Sequence, residues 1–488
     1  LAVGGRIASL TATAAVMFAG TAAAVTLPNV FSDHAVFQRD VPVPVWGGAP
    51  PGAAVTVEWM PPSASGQAGQ TKTATADAAG RWQVLLEPLP ASAEGGVLRV
   101  QAAGNAAPVT RSDIVVGEVW ICSGQSNMGT TMSGAQWWMS ECPGANVPAI
   151  RFLNMGGNGG YAAAEPQADQ PDRWYPCTPA TSFSFSAIGY FFARSLQRDL
   201  GVPVGMIKCS SWGAAAEGFV PVGALREAGV FRPLVEKLEA DTAAFETKKA
   251  ERMETYDEKL AAYASAMAEF EKTLAEGDAG LRERWCDPAT DVSQWGTIQL
   301  PGGWEGTELK GQAGSVWFRR ETSVVAAWAG KELLIQLGGC DDRATVWFNG
   351  VEIGASGPEA HAVGHRVPAA LARAGNNTLV VRVVDEGGAP GRLGSLPFLM
   401  YLAPADGGNG DERMPLPGDW RFRAGWSVGR ADLPRRPSPP LPPGAAQTAP
   451  GSLYNGMLAP IAGYPIRGVI WYQGESNAGR AREYETLF

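Results

Sequence analysis

IVVGEVWICSGQSNM, at residues 114–128, is an apolar run that ends in small and polar residues. A short apolar run bounded by turn residues predicts a buried strand. Further along, Ser186 precedes the amphipathic segment AIGYFFARSLQRDL and Gly201 follows it, which predicts a capped helix with a glycine stop. Residues 202–208 are apolar again and predict a second strand. Strand, helix and strand in this order indicate a βαβ unit, a parallel sheet and the α/β class.

The third strand of this kind comes only at IRGVIWYQGESNA, residues 466–478. Short strands with turn residues between them flank and interrupt the α/β pattern. The predicted order is an N-terminal β-sandwich at 25–112, the first part of the α/β domain at 113–224, a helical segment at 225–284, a second β-sandwich at 285–405, a Pro-rich linker at 406–450 and the second part of the α/β domain at 451–488. In the helical segment, spacings of four and three predict one packed helix face, formed by Tyr256, Leu260, Tyr263, Met267, Phe270 and Leu274.

Composition limits the classes of protein and partner. The 488 residues are 45% apolar and 18% charged, which allows several packed cores. At roughly 150 residues per domain, the length predicts about three domains. The net charge of -9 argues against a nucleic-acid partner, because phosphate binding depends on Lys and Arg.

The first residues carry a targeting signal. Arg6 precedes an apolar stretch from Ile7 to Phe18, and three alanines follow at 22–24. A short positive region, a short apolar region and an A-x-A site predict a signal peptide at 1–24, with an N-terminal anchor as the alternative. The apolar run is too short for a stable membrane span. We therefore expect a secreted or periplasmic protein with no membrane partner after cleavage.

Six cysteines permit disulfides in such a compartment. Cys122 and Cys209 each end an apolar run, which predicts buried thiols. Cys142 and Cys177 lie in loop-like sequence and form the bridge that we expect. The cysteines show no CxxC metal spacing, and we expect neither a metal nor a cofactor.

Each of the three α/β strands ends in small and polar residues: Gly124–Asn127, Ser210–Gly213 and Gln473–Asn477. Ligands of open parallel sheets bind beyond the carboxyl ends of the strands. Acyl transfer needs a hydroxyl that attacks and N–H donors that hold the developing oxyanion. A serine flanked by Gly, Gln and Asn is often only a turn, but three such strand ends in register predict one site.

Four segments resemble the sialate O-acetylesterase family, a branch of the SGNH hydrolases. VWICSGQSNM resembles the nucleophile block, IKCSSWG the second block and GVIWYQGESNA the third, while FSDHAVFQRDVPVPVWG resembles the opening of these proteins. The resemblance implies an SGNH-type hydrolase domain and the release of acetyl groups from sugars. The acetylated sugar, such as acetylated sialic acid or acetylated xylan, is left open, as is the oligomeric state.

Carried over to this sequence, the resemblance implies Ser126 as nucleophile. Ser126 and Gly213 would offer backbone N–H groups to the oxyanion. Gln473 would donate its side-chain amide, with Asn477 as the alternative donor. The remaining side chains would support the loops or contact substrate: Gln125, Asn127, Trp212 and Glu475.

Two features depart from a simple esterase. Ala214 and Ala215 stand where relatives commonly have a second Gly and a Thr, which bears on the sugar-side contacts. The β-rich insert resembles galactose-binding-like jelly-roll domains, through GGCDDRATVWFNGVEIG and NNTLVVRV. Such a module would shape the neighbouring site or bind glycan.

A histidine that activates the serine is not evident. The three histidines are His34, His361 and His365, and the last two lie in the insert. Relatives carry an Asp-x-x-His block well after the third strand, so we expect the base beyond residue 488. Two hypotheses follow: a sugar O-acetylesterase, or a non-catalytic glycan-binding protein on a degenerate esterase scaffold.

Overall fold

The computed structural model describes residues 25–104, 107–155, 162–169, 172–357, 364–388, 390–405 and 413–487. The expected signal peptide and His361 lie outside the described residues. The chain forms two compact units. Unit 1 runs to Ala250 and resumes at Leu441, and unit 2 is Glu251–Pro440. Among the described helices, none combines the length and the apolar character needed to cross a membrane.

The strands in chain order are β1 (Val36–Gln38), β2 (Val43–Gly48), β3 (Ala54–Met60), β4 (Gln70–Thr75), β5 (Arg81–Leu86), β6 (Ser92–Ala102), β7 (Val109–Gly124), β8 (Val147–Asn154), β9 (Trp174–Cys177), β10 (Val204–Ser210), β11 (Gly296–Leu300), β12 (Gly302–Gly303), β13 (Gln312–Val324), β14 (Leu333–Leu337), β15 (Arg343–Phe348), β16 (Val351–Ser356), β17 (Gly364–Val367), β18 (Gly375–Asp385), β19 (Arg392–Leu393), β20 (Met400–Pro404), β21 (Met414–Pro415), β22 (Gly418–Gly429) and β23 (Gly468–Tyr472).

The α-helices in chain order are α1 (Ser126–Gly129), α2 (Trp138–Glu141), α3 (Pro179–Ser182), α4 (Ala187–Leu200), α5 (Val222–Glu227), α6 (Arg232–Thr247), α7 (Lys249–Gly277), α8 (Ala279–Arg282) and α9 (Ala481–Tyr484).

A nine-stranded mixed sheet organises unit 1 around β7. The first half of β7 pairs with β6 in antiparallel and with β1 in parallel orientation. Its second half lies between β10 and β23, which both run parallel to it, and β8 extends the parallel part beyond β10. Parallel strands with interposed helices confirm the α/β class, with additional β-sheets.

The boundary that we expected between residues 112 and 113 is wrong, because it falls inside β7. This strand runs from Val109 to Gly124 and belongs to both parts of the sheet. One apolar core accordingly joins the two parts, with Val57 of β3 and Ile207 of β10 in the same cluster. The N-terminal strands therefore continue the sheet that carries the three strand ends.

Helix α4 lies where the sequence predicts it. The Ser186 hydroxyl accepts a hydrogen bond from the Gly189 N–H at 3.1 Å, and Gly201 ends the helix with a φ of 66°. Both caps satisfy the polar groups that a helix leaves unpaired at its ends. The sequence predicts a loop before α4, but β8 and β9 lie there, and β8 pairs with β10.

Unit 2 is built on two sheets that share one apolar core. The larger has six strands in the order β11-β22-β13-β18-β15-β16, and the smaller has four in the order β17-β14-β20-β21. Phe348 of the larger sheet and Ile335 of the smaller sheet belong to the same core cluster. Strand β22 lies within 406–450, which we expected to be a linker. That expectation is wrong, because β22 pairs with both β11 and β13.

The predicted apolar face of α7 is buried only toward its C-terminal end. Phe270 and Leu274 are buried against Ala313 and Leu433, whereas the first four residues of the face are partly exposed. The predictions for the cysteines are likewise confirmed in one part and wrong in the other.

Cys122 and Cys209 are fully buried thiols, as predicted. Burial raises the pKa of Cys122 to about 12, so this thiol stays protonated at neutral pH. Cys142 and Cys177 are also buried free thiols, so the expected bridge between them is not formed.

Candidate active site at the carboxyl ends of three strands

Three loops leave the parallel part of the unit 1 sheet at the same edge. Gly124 of β7 lies opposite Ser210 of β10 on one side and opposite Tyr472 of β23 on the other. Neighbouring strands lie about 4.8 Å apart. The segments that follow these three residues are therefore neighbours, and they are the segments that the sequence analysis selected.

Ser126 is the first residue of α1 and follows a tight strand end. Gly124 has a φ of 141°, and a Cβ at this position would lie 2.0 Å from the Tyr472 carbonyl oxygen, so only glycine fits. Gln125 is extended, and the chain then turns into α1 with Ser126 partly exposed. Among the described residues, neither the hydroxyl nor the backbone N–H of Ser126 has a hydrogen-bond partner. Both groups can therefore face a ligand.

Gly213 lies in the loop after β10 and has a φ of 64°, in the left-handed region that favours glycine. The Ser211 N–H ties this loop to the Gly124 carbonyl at 3.2 Å. Gly213 is exposed, and its N–H has no partner within the described part of the chain. Trp212 beside it is 64% exposed. An unpaired N–H next to a serine turn suits an oxyanion.

Gln473 follows β23, and both of its amide hydrogens are engaged within the protein. Nε2 donates to the Ala214 carbonyl at 3.0 Å and to Asn477 Oδ1 at 2.6 Å. Its Oε1 is buried without a hydrogen-bond partner among the described residues. Gln473 thus reaches the predicted site, but direct donation to a ligand requires one of these two bonds to break.

Side chains of the first and third loops hold those loops together. Gln125 is buried, and its Oε1 accepts hydrogen bonds from the Gly474 N–H at 3.4 Å and the Ser476 N–H at 3.2 Å. Asn127 Nδ2 donates to Glu475 Oε1 at 3.0 Å, and both side chains are exposed. The Gln125 and Asn127 contacts fix the loop after β23 against the start of α1.

Asn477 is buried and contacts protein groups on both sides of its amide. Oδ1 accepts from the Ala216 N–H at 2.9 Å as well as from Gln473, and Nδ2 donates to Glu217 Oε2 at 2.8 Å. Glu217 is itself buried and pairs with Arg480. Burial alone raises the pKa of Glu217, but the hydrogen bonds from Arg480 and Asn477 outweigh it, so the pKa lies below the usual value.

Glu217 and Arg480 are not among the residues predicted from the sequence. Glu217 sits in GAAAEGF, residues 213–219, just after a predicted strand. A single carboxylate among small and apolar residues is rarely buried without a partner, and this signal could have identified it. Arg480 offered no comparable signal.

Known proteins match part of this chain. No family model matches the sequence. Sialate O-acetylesterase from Mus musculus is 29% identical over 180 residues, which cover 35% of this chain and 32% of the mouse protein. Sialate O-acetylesterase from Homo sapiens is 30% identical over 183 residues, which cover 35% of this chain and 33% of the human protein. Part of this chain is thus similar to sialate O-acetylesterases. The match spans about a third of the length of these curated sialate O-acetylesterases.

A solved structure described as a novel carbohydrate acetylesterase from Xanthomonas citri is 34% identical to this chain over the matched part. The match covers 42% of this chain and 44% of that chain, with a TM-score of 0.38.

The described histidines of this chain do not supply an evident base to Ser126. His34 is the single histidine among the described residues of unit 1, and its Nδ1 contacts Asp113 Oδ2 at 2.6 Å. Asp113 also accepts a hydrogen bond from Arg151 at 3.0 Å. The strand from Asp113 to Gly124, on the order of 35 Å long at about 3.3 Å per residue, separates this cluster from Ser126. His365 lies in unit 2, where it is buried on β17 and burial lowers its pKa.

A cluster of three aspartates in unit 2 has the spacing of metal ligands. Oxygens of Asp341, Asp342 and Asp385 lie within 4.8 Å of one another. Arg430 pairs with Asp385, and the Glu386 N–H donates to Asp342. Oδ2 of Asp341 is buried and has no hydrogen-bond partner among the described residues. Close carboxylates alone do not identify a metal site, and we assign none here.

The same cluster predicts a pH dependence. Burial first, and then the charges of Asp385 and Asp342, raise the pKa of Asp341 from 3.8 to about 7. Between about pH 4 and pH 7, Asp341 is therefore protonated in the folded state and ionised in the unfolded state. The free energy of unfolding accordingly falls as pH rises through that range. We expect Asp341→Asn to raise the melting temperature at pH 8 and to leave it nearly unchanged at pH 4.

Thermal unfolding at both pH values checks this expectation. Asp257→Asn, at an exposed position on α7, serves as the control and should have no effect at either pH. An equal effect of Asp341→Asn at pH 4 and pH 8 would contradict the assigned titration.

Proposed function

We propose that this chain carries the nucleophile and the oxyanion-binding groups of a carbohydrate O-acetylesterase, in an SGNH hydrolase domain with a jelly-roll insert. One observation carries the proposal. Ser126 follows a strand that has a parallel neighbour on each side. Among the described residues, its hydroxyl has no hydrogen-bond partner, and neither has the N–H of Gly213 in the adjacent loop. A hydroxyl beside free N–H donors is the arrangement that acyl transfer requires.

In the proposed reaction, the Ser126 oxygen attacks the acetyl carbonyl carbon of the sugar ester. The carbonyl oxygen becomes an oxyanion and accepts hydrogen bonds from the N–H groups of Ser126 and Gly213. Gln473 becomes a third donor when the Nε2–H that donates to the Ala214 carbonyl turns toward the oxyanion. The hydroxyl proton of Ser126 passes to solvent or to a base such as added imidazole. The bond between the acetyl carbon and the sugar oxygen then breaks, and the sugar oxygen takes up one proton from the same source and leaves as an alcohol. Water then hydrolyses the acetyl-Ser126 ester and releases acetate.

The proposed substrate is an O-acetylated sugar or glycan. The names of the mouse and human relatives favour acetylated sialic acid, and acetylated xylan is the alternative substrate for the same chemistry. The exposed indole of Trp212 lies next to Gly213 and offers an apolar face on which a sugar ring can rest. We further propose that the protein is exported to the periplasm or the medium.

Acetate release tests the proposal. Acetylated sialic acid and acetylated xylan are incubated with the protein, and free acetate is measured against the spontaneous rate. Release that depends on Ser126 supports the esterase. Glycan binding without acetate release would instead favour a non-catalytic glycan-binding protein on an esterase scaffold.

The position of His34 yields a further prediction. An unassisted serine hydroxyl is a poor nucleophile at neutral pH, and His34 is the one histidine in the described part of unit 1. We expect the 488-residue chain alone to release acetate slowly and added imidazole to accelerate this release. Ser126→Ala with the same imidazole measures the hydrolysis by imidazole itself, and the wild-type rate should exceed this background.

His34→Ala is the matched test of the histidine already present. Its effect on acetate release should stay within about twofold, because His34 lies at the other end of β7 and general-base catalysis requires hydrogen-bond contact, directly or through one water. A large loss in this variant would show that His34 acts on Ser126 and would overturn the assignment.

A further inference from the structure

A buried chain of polar side chains connects the loop after β10 with the loop after β23. Glu217 and Asn477 are 3% and 2% exposed, respectively. Glu217 Oε2 accepts from Asn477 Nδ2 at 2.8 Å, and Asn477 Oδ1 accepts from Gln473 Nε2 at 2.6 Å. Arg480 donates to the other carboxylate oxygen of Glu217. The chain therefore runs from an ion pair with a buried carboxylate to an amide at the candidate site.

The contacts define which end of the Asn477 amide is oxygen and which is nitrogen. The oxygen end receives two donors, the Ala216 N–H at 2.9 Å and Gln473 Nε2. The nitrogen end faces a carboxylate, which accepts hydrogen bonds and cannot donate them when ionised. A rotated Asn477 would place its oxygen against the Glu217 carboxylate and its NH₂ against two donors.

The orientation of Asn477 in turn selects the orientation of Gln473. With Asn477 Oδ1 holding one hydrogen of Nε2, the second hydrogen points to the Ala214 carbonyl, next to Gly213. A reversed Gln473 amide would turn its oxygen toward two other oxygens. The NH₂ group of Gln473 is thus directed toward the loop that presents Gly213.

We infer that Glu217 is a positioning residue of the proposed esterase site, which sets the Gln473 amide through Asn477. The inference rests on the proposed function and adds residues that act without touching substrate. A carboxylate suits this role because it accepts from Asn477 and Arg480 at once. The amide of a glutamine has one oxygen to accept with, so its NH₂ group would face either Asn477 or Arg480.

Glu217→Gln tests the inference under the condition that gives the highest wild-type acetate release. We expect kcat to fall about tenfold with KM within about twofold, by analogy with the loss of outer-shell partners at metal sites. Glu118→Gln is the matched control. Glu118 is also 3% exposed and pairs with an arginine, Arg39, at 2.6 Å. It lies at the end of the β7–β10 pairing that is opposite to Gly124 and the candidate site. This control should lose stability without losing kcat.

A second variant guards against misfolding of Glu217→Gln. Glu217→Asp keeps the charge beside Arg480 and shortens the side chain by one methylene, which draws the carboxylate away from Asn477. Its kcat should also fall, by about threefold or more. Wild-type kcat in a folded Glu217→Gln or Glu217→Asp protein would overturn the inference, as would an equal kcat loss in Glu118→Gln.

A spectroscopic measurement separates this inference from the proposed function. The side-chain NH₂ resonances of Gln473 are assigned in ¹⁵N-edited spectra by their loss in Gln473→Ala. They should shift in Glu217→Gln and stay in place in Glu118→Gln, whether or not the protein releases acetate. Absence of any Ser126-dependent acetate release would remove the proposed function, whereas unmoved Gln473 resonances would remove the positioning role.

Discussion

Ser126→Ala is expected to lower acetate release by about a thousandfold or more under the condition that gives the highest wild-type rate. That condition supplies a base to Ser126, for example as added imidazole. Removing the serine of a serine hydrolase costs about as much as removing all of its catalytic side chains together. The N–H groups of Ser126 and Gly213 remain in the variant, so a small rate above that of water should survive.

Ser476→Ala is the matched control for this substitution. Ser476 is an exposed serine in the loop after β23, and it contacts Gln125 through its backbone N–H. Its hydroxyl can therefore be removed without disturbing that contact. Thermal unfolding should be alike for both variants and the wild type. If Ser126→Ala retained more than about a tenth of the wild-type rate, another group would be the nucleophile.

The position of Ser126 could be predicted because local signals and tertiary structure agree around it. The apolar run of β7, the Ser186 cap and the Gly201 stop each specify a local conformation, and the structure uses all three. Parallel strands bring their carboxyl ends to one edge, so the three polar strand ends followed from the topology. None of these signals depends on contacts between side chains.

Strand β8 was missed because an ion pair hides its pattern. Arg151 interrupts the apolar sequence, yet its side chain is buried, since its guanidinium contacts the carboxylate and the carbonyl of Asp113. A pattern of apolar residues cannot reveal a charged residue that a distant partner neutralises. Strand β22 had a readable alternation, with Trp420 and Phe422 buried, but its proline-rich surroundings suggested a linker.

The direction of the Gln473 amide could not be predicted for a related reason. It depends on Asn477, four residues away, and on Glu217, which is more than two hundred residues away in sequence. Residue types and spacing show that an amide reaches the site. They do not show that both of its hydrogens are already bound to the protein.

Gln473→Ala is expected to lower kcat by about a hundredfold, the usual cost of one oxyanion donor. The variant loses the proposed third donor and also the bond from Nε2 to the Ala214 carbonyl, which steadies the loop of Gly213. Both losses act on the transition state, so KM should change little. Steady-state kinetics on an acetylated sugar provide the measurement.

Gln473→Glu distinguishes donation from space filling at this position. The two side chains have nearly the same size, but an ionised carboxylate cannot donate and would repel both the developing oxyanion and the Ala214 carbonyl. We therefore expect Gln473→Glu to lose at least as much kcat as Gln473→Ala. A near-normal kcat in Gln473→Glu would show that the side chain only fills space. A change confined to KM in either variant would make Gln473 a substrate contact, because uniform binding alters KM and leaves kcat unchanged.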